Sequence, residues 1–220
     1  MLVEQRSQAW FDLRKGKITS SEIHKIMSEG RGKESLGETG KTYLLEKVSE
    51  SLGGFTQGAS GAALEWGVEL EDLAVEMYEK RLNYKVEKAS FISFSEFYGG
   101  SPDGLVKPDG IIEVKCPYTS TNHFKHGLIK TPEAFKKVAN NYYYQCISNM
   151  ICADAQWCDF VSFDPRLDEQ YSLFVYRLHR NEDEVKNVLA RVEIATNYMK
   201  ELKERLSEAS KQANTAQDGV

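Results

Sequence analysis

Residues 101–115 read Ser-Pro-Asp-Gly-Leu-Val-Lys-Pro-Asp-Gly-Ile-Ile-Glu-Val-Lys and predict a β-hairpin. Two short strands are expected, over residues 105–107 and 111–115, because both runs are apolar and a turn separates them. The intervening Lys-Pro-Asp-Gly has Pro at its second position and Gly at its fourth, which is typical of a tight turn. We therefore expect the rest of the chain to be organised around this hairpin.

Chemically useful side chains are expected at one end of the hairpin. Neighbouring side chains of a strand point to opposite faces, so Ile112 and Val114 would enter a core while Glu113 and Lys115 emerge together on the other face. The turn brings Asp103, which lies just before the first strand, close to Glu113. Two carboxylates and an ammonium are therefore predicted at one edge.

This group of side chains suits the hydrolysis of a phosphodiester, in which the pentacovalent phosphate gains negative charge. Carboxylates are hard oxygen ligands that hold Mg²⁺ and leave coordination places for water and phosphate. Lys115 can then bind and orient the attacking water. The spelling Pro102-Asp103 followed by Glu113-Val114-Lys115 resembles the PD-(D/E)xK nucleases. A turn aspartate and the solvent-exposed face of an edge strand remain the simpler alternative, because Glu-x-Lys is common by chance.

The composition is that of an ordinary soluble globular protein, with 41% hydrophobic and 28% charged residues in a chain of 220. One nuclease domain is expected over residues 1–209, followed by a disordered polar tail over 210–220. No apolar segment is long enough to span a membrane, and the first residues lack a signal-peptide pattern. A cytoplasmic location is therefore expected.

The net charge of −5 argues mildly against sequence-nonspecific binding of duplex DNA, which depends on neutralising phosphates. A basic groove on an otherwise acidic protein would remove this objection. The four cysteines form no Cys-x-x-Cys pair, so buried or partly buried free thiols are expected rather than a zinc site or a disulfide framework. The four histidines show no metal-ligand spacing and are predicted to lie at the surface or near phosphate.

An anion site is predicted near the N-terminus. A helix is expected over residues 5–14, with Trp10 and Leu13 on its buried side. Residues 18–22, Ile-Thr-Ser-Ser-Glu, can then cap a second helix that runs to about residue 27. Helix-start amides, serine hydroxyls and the nearby Arg14 would together bind a phosphate. A capped helix whose hydroxyls serve only its own backbone explains the same residues.

A strong helix is predicted over residues 62–82, and it carries one carboxylate in an unusual place. Glu71 falls in one row with Gly67, Ala74 and Tyr78, beside the apolar stripe. A buried carboxylate needs a partner because an unpaired charge is costly there. A third metal-binding carboxylate and a salt bridge at the border of the stripe both remain open. The predicted stripe consists of Ala63, Trp66, Leu70, Leu73, Met77 and Tyr78.

The remaining elements follow from apolar periodicity and turn residues. Helices are expected over 42–52, 131–151 and 181–209, strands over 91–94, 156–163 and 171–178, and loops over 29–40 and 53–61. Thr131-Pro132-Glu133 supplies an N-cap, a first-turn proline and a first-turn acid for the second of these helices. Its buried stripe is predicted to comprise Phe135, Val138, Tyr142, Cys146 and Met150, with Gln145 adjoining it.

Seven short motifs follow one another along residues 8–165. They are Ala9-Trp10 to Arg14, Ile18-Thr19-Ser20-Ser21-Glu22, Trp66-Gly67 to Glu71, Ser101-Pro102-Asp103-Gly104-Leu105, Glu113-Val114-Lys115-Cys116-Pro117, Tyr142 to Gln145, and Asp164-Pro165-Arg166. With these motifs in consistent order, the chain resembles the phage-type alkaline exonucleases of the YqaJ family, typified by bacteriophage lambda exonuclease.

The resemblance implies a fold, an activity and partners. The fold would be an α/β (α+β) restriction-endonuclease-like core, a central mixed β-sheet flanked by helices. The activity would be that of a 5′→3′ exonuclease that uses two Mg²⁺ ions, for which Mn²⁺ can substitute, degrades duplex DNA from its ends and releases 5′-mononucleotides. A ring-shaped homotrimer, a single-strand annealing protein and the cytoplasm of a bacterial host are also implied.

The resemblance further implies roles for individual residues. Asp103, Glu113 and the carbonyl of Val114 are similar to the family's metal ligands, and Glu71 to the outer ligand of the second ion. Lys115 is similar to the residue that holds the nucleophilic water.

Other positions correspond to supporting roles in the family. Gln145 is similar to the residue that steadies the water site. Arg14 and Ser21, with the adjacent Ser20, are similar to the pocket for the 5′-phosphate, and Trp10 is expected to pack nearby. A structure- or site-specific endonuclease of the same superfamily, and a catalytically silent DNA-binding module, are the alternative functions.

Overall fold

The computed structural model describes residues 3–30, 32–54 and 61–217. The helices are α1 Gln8–Arg14, α2 His24–Met27, α3 Glu38–Ser51, α4 Ala62–Leu82, α5 Ser120–Gly127, α6 Pro132–Val138, α7 Asn140–Ala153 and α8 Glu182–Gln217. The strands are β1 Ile18–Thr19, β2 Glu29–Gly30, β3 Gly32–Leu36, β4 Val86–Glu87, β5 Ile92–Ser93, β6 Tyr98–Gly100, β7 Gly104–Val106, β8 Gly110–Lys115, β9 Trp157–Phe163 and β10 Leu173–His179.

A five-stranded mixed sheet forms the centre of the molecule, with the strand order β10-β9-β8-β7-β4. Strands β8 and β9 are parallel, and the other pairs in this sheet are antiparallel. Helix α4 packs on one face, and α7 packs on the other with α8 behind it. The predicted mixed sheet flanked by helices is therefore confirmed.

The predicted hairpin is formed by β7 and β8, with Leu105 opposite Ile111. Strand β8 also pairs with β9, so it is an interior strand and both its faces are covered. Ile112 and Val114 pack towards α4, whereas Ile111 packs towards α7. The alternative in which this strand is a solvent-exposed edge is therefore wrong, and polar side chains on β8 must find partners inside the protein.

Several predicted helix boundaries and buried faces need correction. Helix α1 begins at Gln8, after Ser7 accepts a hydrogen bond from the Trp10 amide. Trp10 is buried as predicted, but Leu13 is 42% exposed. The bounds of α4 are confirmed, yet it buries Ala74 and Tyr78 and leaves Leu73 exposed. Trp66, Leu70 and Met77 of the predicted stripe are half-buried, and Ala63 is exposed.

The helix predicted over residues 131–151 is divided. Thr131 accepts a hydrogen bond from the Ala134 amide and caps α6 as predicted. At Ala139 the backbone leaves the helical region, with φ −146° and ψ 64°, and a separate α7 begins. Val138 is consequently 43% exposed, whereas the rest of the predicted stripe is buried or half-buried.

Other predictions are revised where the structure describes the chain. The loop predicted over 29–40 contains β2, β3 and the start of α3, with residue 31 outside the described part. Residues 55–60 of the second predicted loop lie outside it as well. Helix α5 was not anticipated, and α8 continues to Gln217, past the end predicted at Ala209. No described helix combines the length and apolarity needed to cross a bilayer.

The four cysteines are all free and buried, as the sequence analysis predicts. The prediction for the histidines is wrong at two positions. His123 and His126 of α5 are buried against the sheet, with 0% and 8% exposure. Their hydrogen bonds to neighbouring polar groups explain how they are accommodated there.

Candidate active site

The structure brings Asp103, Glu113 and Lys115 together at the carboxyl end of β8. The Val114 amide donates a hydrogen bond of 2.6 Å to Oδ2 of Asp103. Lys115 Nζ lies 2.6 Å from Oε1 of Glu113, which is fully buried. Alternation along β8 places these two side chains on one face, and the β7–β8 hairpin brings Asp103 to them.

Helix α7 contributes a residue that the sequence analysis missed. Asn149 donates a hydrogen bond of 2.8 Å from Nδ2 to Oε2 of Glu113, and both side chains are fully buried. Gln145, the predicted supporting residue, lies one turn earlier on the same helix and is also buried. The i, i+4 spacing of the two amides was the available signal, because such residues share a helix face.

Glu71 forms an ion pair with Arg6, a residue that the sequence analysis did not single out. The Glu71 side chain is 23% exposed, and Arg6 adopts a left-handed backbone conformation with φ 67°. The predicted alternative of a salt bridge at the border of the stripe is therefore present. A local sequence signal for this partner is lacking because 65 positions separate the two residues.

A cleft of about 570 Å³ opens beside these side chains. Its walls come from the first turns of α4, the end of β8, helix α5 and the junction of α6 and α7. Glu71, Lys115, Tyr118, His126 and Tyr142 are among its lining residues. The Lys115 ammonium lies 4.9 Å from the centre of the Tyr142 ring. The cleft thus combines a buried charged end with aromatic walls.

Burial disfavours the charged forms of the two carboxylates at the site. Burial raises the pKa of Asp103 well above its usual value, and the neighbouring Glu113 raises it further. Burial also raises the pKa of Glu113 despite the bonds from Lys115 and Asn149. For Lys115, burial acts to lower the pKa, but the carboxylates of Glu113 and Asp103 outweigh it and raise the pKa. Additional positive charge would stabilise this arrangement.

The oxygen ligands at the end of β8 fit a divalent cation. Asp103 and Glu113 supply hard oxygen atoms. Val114, between Glu113 and Lys115 in the sequence, adds a backbone carbonyl. Within the described residues, no group of three or more His, Cys, Asp and Glu side chains is arranged as a ready-made metal cage. Two carboxylates and a carbonyl, with remaining places for water and substrate, nevertheless suit Mg²⁺, which usually keeps several waters.

A second cationic site lies at Arg14. Its guanidinium donates a hydrogen bond of 3.3 Å to Ser21 and lies 4.0 Å from the centre of the Trp10 ring. Trp10 in turn donates a bond of 3.0 Å from Nε1 to Ser101, two residues before Asp103. Burial lowers the pKa of Arg14. In the described part of the chain, no carboxylate reaches ion-pair distance of it, so an anion could take that place.

The predicted helix N-cap beside Arg14 is wrong. Residues 20–22 form a 3₁₀ turn, and Thr19 makes no capping hydrogen bond through its side chain. The Ser20 hydroxyl is buried and lies 2.8 Å from the Ser148 hydroxyl of α7, so it is engaged inside the protein. Ser21 is half-buried, and it is the serine whose hydroxyl accepts the hydrogen bond from Arg14.

Gly100 of β6 lies close to both Ser20 and Asn149. A Cβ atom added to Gly100 would collide with the Ser20 hydroxyl on one side and with Oδ1 of Asn149 on the other. Oδ1 of Asn149 is also a buried acceptor that lacks a hydrogen-bond partner within the described residues. Glycine at this position therefore leaves room for the Ser20 hydroxyl and the Asn149 amide against β6.

The motif Asp164-Pro165-Arg166 follows β9 and holds the segment after β8, around Tyr118, in place. Arg166 makes two hydrogen bonds of 2.8 Å to the Asp164 carboxylate, which lower the pKa of Asp164 to about 2. Arg166 also donates to the Tyr118 carbonyl and lies 4.6 Å from the centre of the Trp66 ring. These contacts join the turn at the cleft to the first turns of α4.

Comparison with known proteins points in one direction. A family model described as the YqaJ-like viral recombinase domain matches residues 9–156. No curated protein matches the chain.

Solved structures give closer detail. An alkaline exonuclease from Laribacter hongkongensis is 28% identical, with a TM-score of 0.82 over 94% of this chain and 100% of that chain. Its complex with dAMP matches at 29% identity with the same TM-score and coverage. A phage-related exonuclease from Haemophilus somnus 129PT has the same fold, with a TM-score of 0.73, 21% identity, and coverage of 89% of this chain and 98% of that one. The restriction-endonuclease-like fold is thus confirmed.

Proposed function

Because the chain belongs to the YqaJ-like viral recombinase family, we propose that it is a metal-dependent 5′→3′ exonuclease that degrades one strand of duplex DNA from its end. The product would be a 3′ single strand suited to recombination by strand annealing, together with 5′-mononucleotides. The observation that carries the proposal is the convergence of Asp103, Glu113 and Lys115 at the end of β8, beside an open cleft.

We assign the metal to the carboxylates beside this cleft, at the end of β8. Asp103, Glu113 and the Val114 carbonyl would hold Mg²⁺ or Mn²⁺, and Glu71 would serve a second ion. When bound, such ions supply charge neutralisation for the phosphate and acidify water. The raised pKa values of the two buried carboxylates support this assignment, because a cation there would favour their charged forms.

The protein side chains would position the reactants. The Lys115 ammonium is donor-only, so it can hold a water molecule through a lone pair of the water oxygen. Asn149 keeps the Glu113 carboxylate in place through its hydrogen bond, and Gln145 would steady the same region. The role of Arg6 would be to neutralise Glu71 in the absence of a second ion.

Polarity would follow from the Arg14 site. A terminal 5′-phosphate carries more negative charge than an internal diester, and the guanidinium of Arg14 with the Ser21 hydroxyl can bind it. The contact from Trp10 to Ser101 ties this pocket to the segment that leads to Asp103. Seating the phosphate there would place the next scissile bond at the carboxylates, and each cut would present a new 5′-phosphate.

The assembly and setting are proposed from the family alone. We expect a ring-shaped homotrimer that encloses DNA, a single-strand annealing protein as partner, and action in the cytoplasm of a bacterial host. An acidic exterior around a basic channel would be consistent with the net charge of −5.

Digestion of a linear duplex labelled separately at the 5′ and 3′ ends of each strand tests the proposal. With Mg²⁺, 5′ label should be released as mononucleotide from the start, whereas 3′ label should remain in long fragments. A closed circular duplex serves as control and should stay intact. Cleavage of the closed circle would instead identify a structure- or site-specific endonuclease.

A further inference from the structure

Two buried histidines lie behind the cleft and share one serine. His123 and His126 are on α5, and Ser162 is on β9 directly opposite Lys115 of β8. The Ser162 hydroxyl lies 2.9 Å from Nδ1 of His123 and 3.0 Å from Nδ1 of His126. All three side chains are at least nine-tenths buried, so their hydrogen atoms must be arranged consistently.

The carbonyl of Tyr171 determines which nitrogen of His123 carries hydrogen. It lies 2.7 Å from Nε2 of His123 and can only accept a hydrogen bond, so Nε2 carries hydrogen. Burial lowers the pKa of His123, which keeps the ring neutral at neutral pH. Nδ1 of His123 is therefore bare, and it accepts the hydroxyl hydrogen of Ser162.

The hydroxyl of Ser162 then determines which nitrogen of His126 carries hydrogen. The Ser162 hydroxyl has one hydrogen, already given to His123, so towards His126 its oxygen can only accept. Nδ1 of His126 must therefore carry hydrogen. Burial lowers the pKa of His126 to about 4, with further contributions from His123, Lys115 and Lys125. The ring is neutral, and its Nε2 is left with a free lone pair.

The residue that carries this lone pair, His126, lines the cleft. His126 lines the cleft together with Lys115 and Tyr142, and its ring lies 5.9 Å from the Tyr142 ring, edge to face. Nε2 of His126 makes no hydrogen bond to any residue that the structure describes. A neutral acceptor is thus fixed in the wall of a cleft whose central side chain, Lys115, can only donate.

A water molecule held by Lys115 would need hydrogen-bond acceptors nearby. Its oxygen would use a lone pair for the ammonium, and its two hydrogen atoms would then require acceptors. We propose that His126 is a positioning residue whose Nε2 accepts a hydrogen bond from water bound in the cleft beside Lys115. The purpose of this bond rests on the proposed nuclease function, whereas the proton arrangement rests on the contacts among Tyr171, His123 and Ser162 and on the burial of both rings.

Nuclear magnetic resonance of the ¹⁵N-labelled full chain tests the proton arrangement without any reaction. At neutral pH, long-range proton–nitrogen correlations should show His126 as the Nδ1–H form and His123 as the Nε2–H form. Substitution His126→Asn identifies the His126 signals by their loss. In Ser162→Ala the His126 signals should move towards the Nε2–H form. An Nε2–H or charged His126 in the wild-type protein would overturn the inference.

Steady-state kinetics on a 5′-phosphorylated duplex test the use of the acceptor. His126→Asn retains an amide donor towards Ser162 but places no acceptor at the Nε2 position, so kcat should fall roughly three- to tenfold with KM unchanged. His126→Gln places an amide oxygen near that position and should recover part of the loss. The surface variant His179→Gln controls for the substitution and should match the wild type.

The outcomes separate this inference from the proposed function. Equal kcat for wild type, His126→Asn and His126→Gln would overturn the role of the acceptor even in an active nuclease. A wild-type protein without nuclease activity would refute the proposed function, and the role of His126 with it, while the resonance experiment would still decide its proton arrangement. Thermal unfolding of each variant confirms that the fold is retained.

Discussion

Asn149 on α7 donates a hydrogen bond to the fully buried carboxylate of Glu113 on β8, over 2.8 Å. The same carboxylate binds Lys115 through its other oxygen. A charge at this depth is stable only with such partners, because burial alone disfavours the ionised form. A residue of α7 therefore helps to hold the Glu113 carboxylate in its charged form.

Removal of the Asn149 donor should destabilise the protein. In Asn149→Ala the Glu113 carboxylate retains Lys115 but loses one bond, and a hydrogen bond to a charged group contributes about 1.5–3 kcal/mol. The free energy of unfolding in urea should fall by about that amount. Asn140→Ala, at an exposed position on the same helix, serves as the control and should change little. Equal stability of the two variants would refute a stabilising role for Asn149.

Metal exchange should separate binding from chemistry. If Asp103 and Glu113 hold the ions, Mg²⁺ and Mn²⁺ should support hydrolysis, whereas Ca²⁺ should support binding of a DNA end with little turnover. Ca²⁺ is larger and accepts irregular coordination, so it does not position water in the same way. Rates of mononucleotide release with each ion decide the matter. Undiminished hydrolysis in excess chelator would remove the metal assignment.

Arg14 should make the enzyme sensitive to the terminal phosphate. We expect duplexes with a 5′-phosphate to be degraded faster than those with a 5′-hydroxyl, and Arg14→Ala to remove most of this difference. Loss of one charged hydrogen-bonding partner predicts an effect on the order of tenfold. Lys15→Ala removes an adjacent exposed charge and should keep the preference. An unchanged preference in Arg14→Ala would exclude Arg14 from the phosphate site.

The oligomeric state can be measured independently of activity. If the ring of the family is preserved, sedimentation equilibrium should give three times the chain mass of 25.0 kDa. The mass should stay constant over a wide range of protein concentration. A monomer at all concentrations would contradict the proposal that the protein encircles DNA.

Local signals in the sequence predicted much of this fold. The hairpin around Asp103 and Glu113 depends on a short turn between two apolar runs, and the bounds of α4 follow from its own periodicity. The cap at Thr131 depends only on its neighbours. Such features are predictable because the atoms that determine them are close in sequence.

The features that were missed depend on distant parts of the chain. Arg6 meets Glu71 across 65 positions, and Asn149 meets Glu113 across 36. His123 and His126 are buried because β9 and β10 cover α5, which no local pattern reveals. The sequence predicts Ser20 in a phosphate pocket at a helix start, whereas the hydroxyl of Ser20 lies beside that of Ser148 in the core. Tertiary packing decided each of these cases.

The central claim is that the cluster at the end of β8 performs hydrolysis, and substitution of Lys115 tests it most directly. The initial rate of 5′-mononucleotide release from a linear duplex in Mg²⁺ should fall by at least about a hundredfold in Lys115→Ala. Affinity for the DNA end, measured in Ca²⁺, should stay within about threefold, because Lys115 acts on the attacking water. Lys125→Ala, which removes an exposed cation from the same cleft, should weaken binding more than the chemical step. A folded Lys115→Ala protein that hydrolyses DNA at the wild-type rate would contradict the account.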